Sequence, residues 1–163
     1  MSWLYVLSVF LHVLAATFWI GGMLFLAGVV MPALRRDPGR LSILERLGRY
    51  FEYVGMGALA ILLLTGLMSL TFRGVVLPGQ LWTSPVGRMG LLKLGIFSVV
   101  VLLSFWHNRG IGRQALQLLR EAPGNREGER LQKWSRWIGR LVLLLSLVLL
   151  YLGILLARGI TLW

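Results

Sequence analysis

The sequence contains no cysteine among its 163 residues. Without thiols the chain cannot form disulfides, thiolate metal sites, iron–sulfur clusters or a haem attached covalently through cysteine. This absence removes many redox mechanisms at once.

Acidic residues are also scarce, because six Asp and Glu stand against 17 Lys and Arg, and charged residues make up only 14% of the chain. None of the six lies inside the long apolar segments, so we expect neither histidine to have a carboxylate or an activated nucleophile as a partner. Hydrolytic catalysis, which needs such partners, is therefore disfavoured. We assign no catalytic residues and leave open whether the protein is an enzyme.

What the chain has in abundance is apolar sequence, with 57% hydrophobic residues and a mean hydropathy of +0.76, a composition typical of membrane proteins. Four apolar segments, at residues 3–30, 53–72, 89–106 and 141–156, are each near the length that a helix needs to cross hydrocarbon. They predict an all-α integral membrane bundle of four transmembrane helices, built as a single domain over residues 1–163. The first segment is too long for a signal peptide and lacks a basic leader, so we expect it to be retained.

The net charge of +11 is concentrated in two loops, which hold 13 of the 17 basic residues. Both loops join helices at the same side, so the positive-inside rule predicts that they are cytoplasmic and that both termini lie outside. We therefore expect a multi-pass protein of a bacterial-type cytoplasmic (inner) membrane, with arginines that contact anionic lipid and no nucleic-acid partner. The 13 residues are Arg35, Arg36, Arg40, Arg46, Arg49, Arg109, Arg113, Arg120, Arg126, Arg130, Lys133, Arg136 and Arg140.

The first apolar segment contains a histidine, His12, and an ionisable residue inside a membrane span indicates a functional site. Ala16 and Trp19 follow His12 on nearly the same helical face, and Gly21 and Gly22 reduce the bulk beside them. This pattern predicts a slot for a flat, bulky ligand. The alternative is that the glycines only allow close helix packing and that His12 hydrogen-bonds a neighbouring helix.

The third segment carries Lys93 near its outer end and His107 at its inner end, 14 residues apart and on one helical face. With a rise of about 1.5 Å per residue, His12 and Lys93 should lie at a similar depth, whereas His107 should lie more than about 10 Å further in. One cofactor held by both histidines would need tilt or a kink and is not favoured. Lys93 needs an anionic partner inside the membrane, unless its side chain extends to the outer membrane–water interface.

Two patterns in these segments resemble a known family. They are LH-x-LAA-x-x-W-x-GG-x-x-F at residues 11–25, and LLKL at residues 91–94 followed by His107 and then Gly112 and Arg113. Together they resemble the copper resistance protein D (CopD-type) membrane domain over most of the chain, which implies copper passage or uptake. More distantly, the first-span LH with its Trp and Gly, and the third-span KL, resemble the HemJ-type protoporphyrinogen oxidases, which implies a b-type haem site.

The residues themselves favour haem over copper. Copper(I) prefers soft ligands, but the chain has no cysteine and its methionines are scattered, with only Met23 on the face of His12. Haem iron needs an axial imidazole, a slot of small and aromatic residues and cations near the propionates. The predicted cofactor residues are His12, Ala16, Trp19, Gly22, Lys93 and His107, with His12 and His107 as the candidate metal ligands.

We therefore predict a haem b-binding membrane protein for haem transfer or membrane electron transfer, with His12 as axial ligand. The alternative is copper transport, followed by HemJ-like protoporphyrinogen oxidation. The expected partners are membrane lipid, haem or copper, and either a membrane redox or oxidase partner or a second copy of the chain.

Overall fold

The computed structural model describes residues 3–107, 110, 112–122 and 125–162. Arg109 of the basic loop lies outside these residues, as do the side chains of Arg113 and Arg120. The described ranges contain helices joined by turns and loops and include no strand, so the predicted all-α class is confirmed. The α-helices are α1 (Trp3–Phe25), α2 (Met31–Ala33), α3 (Arg40–Phe72), α4 (Gln80–Thr83), α5 (Pro85–Trp106), α6 (Gly112–Glu121) and α7 (Arg126–Ala157).

Four helices are long and apolar enough to cross a membrane, which confirms the predicted four-helix transmembrane bundle. The first runs from Trp3 to Ala33 and includes α1 and α2; the others are α3, α5 and α7. With 33 and 32 residues, α3 and α7 begin 13 and 15 residues before the apolar segments expected at 53–72 and 141–156. Each extends for about 20 Å past its apolar segment, into the basic part of the chain.

A π-helical turn at Leu26–Val30 joins α1 to α2. Pro32 has no N–H group and cannot continue the regular hydrogen-bond ladder, and the N–H of Met31 reaches back five residues to the carbonyl of Leu26. Beyond α2 the chain turns, and Asp37 accepts a hydrogen bond from the N–H of Gly39 at 2.6 Å. This turn leads directly into α3.

Helix starts later in the chain follow capping chemistry. Ser84 caps α5 by accepting the N–H of Gly87 at 3.0 Å, with Pro85 in the first turn. Asn125 caps α7 by accepting the N–H of Glu127 at 2.9 Å. These caps explain why α5 and α7 begin where they do.

The spans pack as two antiparallel pairs, α1 with α3 and α5 with α7, and α1 also contacts α7. Tyr5 near the start of α1 packs edge-on against Phe72 at the end of α3, with ring centroids 5.3 Å apart. We call the end of the bundle with Tyr5, Phe72 and Pro85 the outer end, and the opposite end, with the start of α3 and of α7, the inner end. The central core contains Trp19, Leu59, Val100 and Val142, and a second cluster near the outer end contains Met89, Leu152 and Leu156.

Candidate functional site

His12 is held by a hydrogen bond that defines its tautomer. Its Nδ1 lies 2.7 Å from Oγ1 of Thr65 on α3, and the Thr65 hydroxyl donates to the carbonyl of Ile61 at 2.6 Å. Because a hydroxyl has one proton, Oγ1 of Thr65 must accept from His12, and Nδ1 must carry the proton. The other ring nitrogen, Nε2, therefore keeps its lone pair.

The imidazole of His12 is half-buried between α1 and α3. A Cβ atom on Gly66 would lie 3.6 Å from Cε1 of His12, so the ring is in ordinary van der Waals range of the α3 backbone. Within the described chain no side chain hydrogen-bonds Nε2. A nitrogen with a free lone pair and an oriented ring is the form of histidine that ligates metals.

Two cationic side chains meet α7 within one turn of each other, at the outer half of the bundle. The Nζ atom of Lys93 lies 3.5 Å from the Cβ position of Gly153, and Nη1 of Arg73 donates to the carbonyl of Leu156 at 2.8 Å. His12 and Gly153 each lie seven residues outward of the Trp19–Ser146 contact, so His12 and the Nζ atom of Lys93 lie at a similar depth. This agrees with the similar depth predicted for the two residues, and Arg73 meets α7 about one turn further outward.

A buried hydroxyl lies one turn outward of His12. Ser8 precedes His12 by four residues on α1 and is only 3% exposed, and its Oγ has no hydrogen-bond partner among the described residues. On α3, Ser69 stands one turn outward of Thr65 and donates to the Thr65 carbonyl at 2.8 Å. Sequence reasoning did not single out Ser8, although its spacing of four from His12 places both on one face.

The space predicted for a flat ligand is filled by aromatic side chains. Trp19 is 5% exposed, donates from Nε1 to Oγ of Ser146 at 3.1 Å and stacks on Phe51 with ring centroids 5.6 Å apart. A Cβ atom on Gly22 would lie 2.5 Å from Cε2 of Phe51. The aromatic ring therefore occupies the room that Gly22 leaves, and half-buried Ala16 borders the same packed face.

His107 lies at the inner end, immediately after the third span, where its Nδ1 is 3.4 Å from Oγ of Ser135. Burial lowers the pKa of the His107 imidazole, which favours the neutral ring at pH 7. The contact between Trp19 on α1 and Ser146 on α7 gives the two helices a common level. From that level His12 lies seven residues outward on α1, and Ser135, the neighbour of His107, lies eleven residues inward on α7. The two histidines are therefore about 27 Å apart along the bundle axis and do not form one site.

No group of three His, Asp or Glu side chains in the described part of the chain is close enough to hold a metal ion. Met89, one turn outward of Lys93, is 1% exposed and packs against Leu152 and Leu156. This packing is the role that scattered methionines commonly have in helical cores. The site at the outer half is thus one oriented imidazole, two cations and a buried hydroxyl.

Comparison with known proteins identifies one family. The family described as copper resistance protein D (CopD) matches residues 45–157, a range that includes Lys93 and His107 and begins after His12. A relative from Aquifex aeolicus (strain VF5), described only as an uncharacterized protein, is 37% identical over 156 residues, which cover 94% of this chain and 95% of the relative. No solved structure matches the chain. The more distant resemblance to HemJ-type proteins stays a prediction.

Proposed function

The chain belongs to the copper resistance protein D family, and from that premise we propose that it moves copper ions through the membrane, with His12 as a ligand on their path. The four spanning helices make it a multi-pass membrane protein. We further propose that residues 1–163 act as one four-helix domain in a cytoplasmic membrane, with the basic inner end in the cytoplasm.

The observation that carries this proposal is the hydrogen bond between His12 and Thr65. It directs the proton of the ring to Nδ1 and leaves Nε2 free to donate its lone pair. Imidazole nitrogen is a ligand that copper accepts in both common oxidation states. A second group that orients the ring, here Thr65, is the usual companion of a ligating histidine.

Copper fits this site as cargo better than as a resident ion. Three protein ligands are not assembled around His12 among the described residues, the chain has no thiolate, and the charge of Lys93 repels a cation near His12. An ion on a conduction path must bind well enough to enter and weakly enough to leave. A single imidazole beside the cation of Lys93 binds copper weakly enough for the ion to leave.

The haem b function expected from the residues alone finds no support. The family described for the chain is a copper family, and Phe51 fills the space beside Gly22 in which a flat ligand was expected. His107 lies about 27 Å from His12 along the bundle and does not supply a second axial ligand to the same iron. Copper, given above as the alternative, is therefore the better assignment.

The test is copper flux into vesicles. Purified protein is reconstituted into liposomes that contain a copper-sensitive dye, and Cu(I) is added outside together with ascorbate. We expect the parent to raise the rate of dye response over protein-free vesicles, and His12→Ala to lower the protein-dependent rate at least about tenfold, because a ligand nitrogen is lost.

The matched control is His107→Ala, which removes the same side chain at the other end of the bundle and should retain most of the flux. Thermal unfolding of each variant before reconstitution confirms that it is folded. A parent protein without flux, or a His12→Ala variant as active as the parent, would overturn the proposal.

A further inference from the structure

The outer half of the bundle carries positive charge without any acidic residue. All six carboxylates of the sequence lie at Asp37, Glu45, Glu52, Glu121, Glu127 and Glu129, which belong to the inner end of the bundle. The basic residues Arg73, Arg88, Lys93 and Arg158 belong to the outer half. No acidic side chain of the sequence thus lies near these four cations.

The distance between the acidic residues and the outer cations can be estimated along α3. Glu52 and Arg73 are 21 residues apart on and just beyond α3, which corresponds to about 30 Å. Interactions between charges at such a distance are largely screened in salt solution. No acidic side chain of the chain therefore neutralises Arg73 or Lys93.

Lys93 and Arg73 reach neighbouring positions on α7. Lys93 reaches α7 at Gly153, where the missing side chain leaves room for its Nζ atom, and Arg73 reaches the same helix at Leu156. Gly153 and Leu156 are three residues apart and lie on one face of α7, about 4.5 Å apart along the axis. Arg73 donates one N–H to the Leu156 carbonyl and has four further N–H groups.

The buried hydroxyl of Ser8 is a second sign of a missing ligand. Ser8 is 3% exposed and its Oγ is unpaired within the described ranges. It lies one turn outward of His12, which stands at the depth where Lys93 meets α7. Buried hydroxyls are normally hydrogen-bonded, so an orphan at this level indicates a polar group that the protein alone does not provide.

We propose that Lys93 and Arg73 bind a phosphate group at the outer end of the bundle. Lysine and arginine are the common donors to phosphate, and their hydrogen bonds to an anion are stronger than neutral ones. The same chemistry is offered by the headgroup of an anionic phospholipid and by inorganic phosphate. This site borders the copper path proposed above, because Lys93 lies at the depth of His12, but it does not depend on copper passage.

The experiment measures ligand-induced stabilisation of the full chain, purified in detergent and stripped of lipid. Thermal unfolding is followed against increasing dioleoylphosphatidylglycerol and, separately, against sodium phosphate, with sodium chloride at equal ionic strength as reference. Stabilisation by the lipid alone assigns the phosphate to a membrane lipid, and stabilisation by sodium phosphate assigns it to the free ion. Either result in the parent supports the site.

Variants decide whether Lys93 and Arg73 are responsible. Lys93→Met and Arg73→Gln should each weaken the apparent affinity for the stabilising probe about tenfold, as expected for one lost charge-assisted contact. Lys93→Arg should stay close to the parent. Arg158→Met is the matched control, since it removes an exposed charge at the same end of the bundle and should leave the affinity unchanged.

The proposal is overturned if neither probe stabilises the parent more than sodium chloride does. It is also overturned if Lys93→Met, a change that replaces a half-buried charge by an apolar side chain and should fold, binds the probe as tightly as the parent. An equal loss in Arg158→Met would show a diffuse charge effect and would likewise contradict a site at Lys93 and Arg73.

Discussion

At the scale of single residues, the most informative contact is the one between His12 and Thr65. An interior histidine has two tautomers, and the choice between them decides which nitrogen can bind a metal. In this protein the hydroxyl of Thr65 is committed to the Ile61 carbonyl, so it accepts from His12 and leaves Nε2 free. Thr65 is therefore a positioning residue for His12.

Removing that acceptor should impair copper flux without removing the ligand. In Thr65→Val the ring of His12 loses the hydrogen bond that orients it, and we expect the flux in liposomes to fall about 10-fold or more, within the range for groups that orient metal ligands. Thr65→Ser keeps the hydroxyl and should restore most of the rate. A valine variant with parental flux would show that Thr65 does not position His12.

A second side-chain hydrogen bond stabilises the core. The indole of Trp19 donates to Oγ of Ser146, which in turn donates to the Val142 carbonyl. Ser146→Ala leaves the buried indole N–H without its acceptor, and we expect the free energy of unfolding in detergent to fall by about 1 kcal/mol. Ser98→Ala is the control, because exposed Ser98 makes the same type of bond to a carbonyl four residues earlier. Equal effects in the two variants would argue against a role for the Trp19 contact.

At the scale of helices, the glycine pair of α1 shows how one residue sets a packing distance. Gly21 has open space at its Cβ position, whereas a Cβ atom on Gly22 would meet Phe51 on α3 at 2.5 Å. The Phe51 ring stacks on both Phe18 and Trp19, so moving it aside would disturb these two contacts. Close contact between α1 and α3 therefore depends on the second glycine of the pair.

Alanine substitutions at these two glycines should have different effects on the free energy of unfolding. We expect Gly22→Ala to lower the free energy of unfolding by about 1–3 kcal/mol, the usual cost of overpacking a core. Gly21→Ala should be neutral or slightly stabilising, because alanine favours the helix and meets nothing. Reversible unfolding in detergent, followed by circular dichroism, measures both. A Gly22→Ala variant as stable as Gly21→Ala would mean that Phe51 moves aside easily.

At the scale of the whole molecule, the arrangement of charge predicts orientation. The acidic residues and most of the basic residues belong to the inner end, which the positive-inside rule assigns to the cytoplasm. The outer end, with Lys93 and Arg73, then faces the exterior.

Labelling tests this orientation directly, because the chain has no native cysteine to remove. Cysteines introduced at Thr83 and Thr161 should react with a membrane-impermeant maleimide in intact cells, and one at Glu127 should react only after permeabilisation. The reverse pattern would place the basic inner end outside and invert the proposed topology.

The amino-acid sequence by itself determined the membrane class, the four spans and the similar depth of His12 and Lys93. These properties follow from hydrophobic run length and from the fixed rise of a helix, both of which are local. The same reasoning separated His107 from His12 in depth, and the structure has them about 27 Å apart along the axis. The apolar segments mark only parts of α3 and α7, because the helical turns that precede them carry charged residues.

Only the tertiary structure decided what surrounds these residues. Gly22 predicts a gap equally well whether a ligand or an aromatic ring fills it, and the choice depends on Phe51, which is 29 positions away and comes from another helix. The tertiary arrangement of the helices likewise decides that His12 bonds Thr65 and that the Ser8 hydroxyl has no partner among the described residues. It also brings Lys93 and Arg73 to the same part of α7. Sequence spacing fixes the face and depth of a side chain on its own helix, whereas the rotation and pairing of helices decide which group it meets.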